Sequence, residues 1–190
     1  MSADPVLSGP QVRTRAAILA ATASVLADDR SATLPDIARA AGVGRTTVHR
    51  YFNDRESLVR EATSDAVRIL EAVLEGAGVD DGPAVDAMRR VIAAMVAIGD
   101  RIVFLFGDPR VMESLRPHQQ PNGDVLVTRL IERGQRDGTF DSELPALWIK
   151  HALWSLVLRG CQDVRNGDLP TYAVTAAIIR TFEHGVGQRI

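Results

Sequence analysis

Two short amphipathic segments joined by a glycine turn limit this chain's fold more than any other feature. They lie in TLPDIARAAGVGRTTVHRYF, Thr33 to Phe52. In the first, Leu34, Ile37, Ala38 and Ala41 recur at three- and four-residue steps, the spacing of one helix face. Thr33 and Asp36 have the spacing of a capping box, and Pro35 is tolerated in a first turn. Gly42 ends the segment, because it can take positive φ without steric cost. The second segment runs from Arg45 to Tyr51, with Val48 and Phe52 as its apolar anchors. Helices this short hold only when they are packed on something. Two of them around a glycine-containing turn predict a helix-turn-helix.

The second helix spends most of its surface on polar groups. With Val48 and Phe52 turned inward, Arg45, Thr46, Thr47, His49, Arg50 and Tyr51 project outward. In a helix-turn-helix the second helix enters the major groove and its first residues reach base edges. Arginine makes bidentate contacts to guanine, and hydroxyls reach phosphate or the thymine edge. Net charge is −2 and the pI about 6.1, so any positive surface must be local. It is: Arg30, Arg39, Arg45, Arg50, Arg55 and Arg60 stand against Asp36, Asp54 and Glu56. Glu71, Glu75, Asp80 and Asp81 then reverse the sign.

The stretch TLPDIARAAGVGRTTVHRYFNDRESLV resembles the DNA-binding segment of the TetR family of bacterial transcriptional regulators. The likeness is close from Thr33 to Val59 and extends more loosely to Gln11. It implies phosphate contacts from Thr33, Thr47, Tyr51 and Arg55, and groove-facing or base-reading roles for Arg45, Thr46 and Arg50. His49 stands where the family often has tyrosine, lying against backbone and sugar. Gly44 departs from the pattern, which usually places a capping serine there; glycine is an acceptable N-cap.

The remainder reads as all-α, about nine helices with no sheet. A first helix spans Gln11 to Ala27. Asn53 and Glu56 start a long fourth helix that carries Leu58, Ala62, Ala66, Ile69 and Val73. GAGVDDGP breaks the pattern and marks a hinge. Further helices are expected after Pro83, through RIVFLF beyond a kink at Gly99, from Val125 to Arg136, from Pro145 to Val164 and from Tyr172 to Gly185, with QQPNG as a loop. The domains expected are a flexible arm over 1–10, a helix-turn-helix domain over 11–57, a connecting helix and hinge over 58–80, and a helical ligand-binding and dimerisation domain over 81–190. Arg13 and Arg15 before AAILAATASVLA superficially look like a signal peptide, but Thr22 and Ser24 interrupt the run and its apolar residues have helical period. No apolar run is long enough to span a bilayer, so a cytoplasmic protein is expected.

A single reading helix makes few base contacts, so a twofold dimer on a pseudo-palindromic double-stranded DNA operator is expected. The resemblance implies pairing through the last two helices, with Leu153, Leu156, Gly160 and Val164 on one and Val174, Ile178 and Phe182 on the other. The competing reading is that both stripes bury within one subunit. The resemblance also implies a small-molecule effector. Met88, Met95, Phe104, Trp148, His151 and Trp154 are the residues picked to line its pocket, with Phe106, Met112 and Arg101 as secondary choices. A mostly apolar ligand is expected, and no metal or cofactor, since the sequence has neither a His cluster nor a Gly-rich phosphate loop. The family's usual outcome is repression released by the ligand. Two rival readings are a helical protein–protein adaptor without DNA binding and a small enzyme built on Cys161 or His151. The phosphate-spaced polar groups argue against the first, and the lack of any catalytic signature against the second.

Overall fold

A computed structural model describes residues 8–113 and 123–187. Ten helices occur among them: α1 (Gly9–Asp28), α2 (Leu34–Ala40), α3 (Arg45–Tyr51), α4 (Arg55–Gly76), α5 (Ala84–Ala97), α6 (Gly99–Phe106), α7 (Pro109–Glu113), α8 (Gly123–Arg136), α9 (Ala146–Asn166) and α10 (Thr171–Val186). The described residues contain no strand, only a single antiparallel bridge between Phe140 and Gly187. The all-α expectation holds. The tenth helix is α7, which Asp108 starts by accepting the backbone N–H of Arg110 on its carboxylate. Most of the expected N-terminal arm, and QQPN of the expected loop, lie outside the described residues.

The chain divides into two compact units, one ending at Asp65 and the other beginning at Ala66, so α4 contributes to both. The first unit is built around Ile18, Leu19, Ala23 and Leu26 of α1, Ile37 and Ala38 of α2, Val48 and Phe52 at α3, and Leu58 and Ala62 of α4, all buried. The buried stripe of α1 begins at Ile18, while Val12 near its start is 51% exposed. Thr22 is buried inside the stripe because its hydroxyl donates to the Ile18 carbonyl.

In the second unit, α9 and α10 pack closely. A Cβ placed on Gly160 would come within 2.6 Å of Val174 and 2.7 Å of Ile178, so glycine sets the approach of the two helices. Gly134 of α8 does the same beneath the Phe140 ring, which stands edge-on to Phe182 at 5.7 Å. The loop after α4, expected as a hinge, is tied down. Arg90 donates to the carbonyls of Ala77, Gly78 and Asp81 at 2.7, 2.8 and 2.7 Å. Arg133 donates to Gly82 and Val79, and Arg129 pairs with Asp80. Lys150, the only lysine in the sequence, is buried on α9 and paired with Asp124 at the start of α8.

Candidate nucleic-acid interface

The turn between α2 and α3 is set by backbone. Gly42 adopts φ +66°, the Val43 amide reaches back to the Ala38 carbonyl at 3.0 Å, and Gly44 stands as an extended N-cap whose carbonyl accepts from Thr47 at 2.9 Å. Val48 and Phe52, at 0% and 2% exposure, fix α3 to the core of the unit. Burying them contributes about 1.5–3 kcal/mol each. The opposite side of α3 is left to solvent: Arg45, Thr46, His49 and Arg50 are exposed, and Thr47 and Tyr51 half-buried. Arg45 Nε donates to His49 Nε2 at 3.4 Å, and the Arg50 guanidinium lies 5.4 Å over the Tyr51 ring. One face of a helix anchored by Val48 and Phe52 thus carries adjacent donors.

The other two residues implied as phosphate contacts are engaged within the protein. The Thr33 backbone N–H and hydroxyl both donate to the Asp36 carboxylate, at 3.0 and 2.6 Å. Those bonds, the hydroxyl's first, hold the Asp36 carboxyl below its usual range. Arg55 donates to the carbonyls of Arg30 and Ala32 at 2.7 and 3.2 Å, closing the α1–α2 loop. Arg15, which precedes the apolar run of α1, is engaged as well. Its guanidinium lies 5.6 Å over the Phe52 ring and pairs with Glu61, so it braces the end of α3. An i-to-i spacing argument within α1 could not have found that contact, which spans 46 residues.

The family described as bacterial regulatory proteins, tetR family, matches residues 18–62, the segment that carries this geometry. Over 186 residues, 98% of this chain and 97% of the relative, the sequence is 33% identical to the HTH-type transcriptional repressor LfrR of Mycolicibacterium smegmatis. The chain belongs to the TetR family. This regulator is also 24% identical over 172 residues to the HTH-type transcriptional regulator NfxB of Pseudomonas aeruginosa, covering 88% of this chain and 91% of NfxB. It superposes on the crystal structure of LfrR from Mycobacterium smegmatis with a TM-score of 0.76 at 32% identity, covering 94% of this chain and 98% of LfrR. The LfrR complex with proflavine matches with a TM-score of 0.74, again at 32% identity, over 93% and 98% of the two chains. The TetR regulator is therefore a transcription factor and not an enzyme.

In the regulator's second unit, the residues chosen for an effector pocket do not converge. Met88, Met95 and Phe104 are fully buried core. Trp148 and His151 point outward, Trp148 at 62% exposure. Trp154 is half-buried and packs on Phe106, ring centres 4.8 Å apart. The side chain of Met112 lies outside the described residues. The residues expected at a dimer interface are mostly covered within this chain. Leu153, Gly160, Val174, Ile178 and Phe182 are buried within this chain, and Leu156 and Val164 are partly covered. Gly160 faces Val174 and Ile178, so the two stripes pack against each other. Most of these side chains are therefore packed inside this chain, with Leu156 and Val164 partly open. Among the described residues, the large apolar side chains exposed on α9 and α10 are Leu147, Trp148 and Tyr172.

Proposed function

We propose that this TetR-family regulator is a repressor that binds a pseudo-palindromic operator as a homodimer in the cytoplasm and leaves it when a mostly apolar small molecule binds the helical unit. The observation that carries DNA reading is the outward face of α3, anchored from behind by Val48 and Phe52. Arg45, Thr46 and Arg50 are the base-reading set, and Thr47, His49 and Tyr51 hold the backbone. Thr33 and Arg55 also hold structure, Thr33 by capping α2 and Arg55 by fixing the loop that presents it; Thr33 reaches phosphate only by exchanging an internal bond, while Arg55 keeps Nη1 for it.

The dimer forms through the exposed faces of α9 and α10, around Leu147, Trp148, His151, Tyr172, Ala176 and Arg180, rather than through their buried stripes. A twofold pair carries two α3 helices, one for each half-site of a pseudo-palindromic operator. Effector sensing is supported by LfrR, a repressor that has been solved with proflavine. A ligand that favours the DNA-incompetent arrangement weakens operator binding by the same factor that DNA weakens the ligand, typically about 1–3 kcal/mol.

The test is selection of genomic fragments with the purified protein, then footprinting at two salt concentrations. The expected result is a protected palindrome that Arg45→Ala no longer protects and whose affinity falls steeply with salt. A salt-insensitive interaction untouched by Arg45→Ala would favour the adaptor reading.

A further inference from the structure

A cavity of about 310 Å³ opens where α5 ends, α6 begins, α9 finishes and α10 starts. Ile98, Val164 and the buried Cys161 supply apolar wall. The Cys161 thiol is pushed up to about 11, by burial first and by the charge of Asp100 second, so it stays neutral and adds a soft, uncharged surface. The charged lining is Asp100, Arg101 and Arg165. Arg165 has a side chain only 11% exposed and is ion-paired with Asp100. Arg101 has no hydrogen-bonding or ionic side-chain partner among the described residues. The wall therefore presents two guanidinium groups against one carboxylate.

The size is that of a small-molecule site. Its chemistry selects by charge. A cationic ligand meets an unbalanced arginine, and a neutral one leaves that arginine unanswered. A carboxylate on a hydrocarbon body satisfies both halves: the body covers the apolar wall, and the carboxylate takes the planar fork of a guanidinium in a charge-assisted pair. We propose that this cavity binds small organic monocarboxylates with an apolar body, held by Arg101 and competing with Asp100 for Arg165. This rests on the reading of the helical unit as effector-binding, and adds to it the ligand's charge and the residues that recognise it.

The probes are octanoate, 1-octanol and octylammonium, which share one body and differ in charge, titrated calorimetrically into the full-length protein. Octanoate is expected to bind at least about tenfold more tightly than either of the others. Arg101→Gln should weaken octanoate by about tenfold or more while the circular dichroism spectrum is unchanged. Asp100→Asn removes the competing carboxylate and should tighten octanoate several-fold, a gain that a damaged fold cannot produce. Equal or tighter binding of octylammonium, no binding of octanoate, or octanoate affinity unmoved by Arg101→Gln would each overturn the proposal. Operator binding without ligand is measured on the same samples. Octanoate bound by a protein that recognises no operator would sink the proposed function and leave the site; the reverse would sink the site alone.

Discussion

At the scale of single residues, the DNA-binding unit separates side chains that read from side chains that hold. Arg45 is exposed, with only a long hydrogen bond to His49, whereas Nε and Nη2 of Arg55 are committed to carbonyls of the α1–α2 loop. Arg45→Ala should cost about 1–3 kcal/mol in operator affinity and relax the preference at one base pair, seen by competition with single-base operator variants. Arg55→Ala should instead lower the melting temperature, because two loop carbonyls lose their donor. Asp29, Asp36 and Asp54 contribute to the acid response, because hydrogen bonds hold their carboxyls below the ordinary range. The leading causes are hydrogen bonds from the Ser31 side chain, the Thr33 side chain and the Ser57 backbone, respectively. A depressed carboxyl stabilises the fold above its unfolded value, and that contribution is lost as pH falls through the folded one. Helicity should therefore hold from neutral pH to about pH 4 and fall below it, and Thr33→Ala should make the fall shallower by returning Asp36 toward its ordinary range.

Among elements, what the sequence disclosed depended on whether a rule was local. The bounds of α3 were read as Arg45 to Tyr51, and the structure has the same bounds, because a glycine turn and two anchors leave little choice. The α2 capping box was equally plain in Thr33 and Asp36. The dimer stripes could not be assigned to a partner from sequence, for a physical reason. An apolar row on a helix says that it is covered, not by which chain, and α9 is apolar on so many sides that Trp148 and Leu153 looked equally fit to face anything. Small residues at positions such as Gly160 signalled close approach correctly but gave no partner. Gly160→Leu should destabilise the helical unit by about 1–3 kcal/mol, since the new side chain meets Val174 and Ile178. Chemical denaturation should record it as a lower midpoint. Long-range ties, such as Arg15 to Glu61 or Arg90 to the loop after α4, have no sequence signature at all.

For the molecule as a whole, placing the dimer on the outer faces of α9 and α10 has a consequence for DNA. Tyr172→Glu, at 79% exposure in one chain, should leave the fold intact, shift the protein to monomer in sedimentation velocity and weaken operator binding by removing the second reading helix. An unchanged sedimentation coefficient would place the pairing surface elsewhere. A last consequence comes from the chain's preference for arginine. Lys150 is its single side-chain amine, and it is enclosed where α9 meets α8. An acylating reagent therefore has one internal target, only 11% exposed and held by Asp124, which it meets more readily as those helices loosen. The rate at which the Lys150 peptide gains mass is then a clock for that loosening, native to the sequence and read without any engineered label.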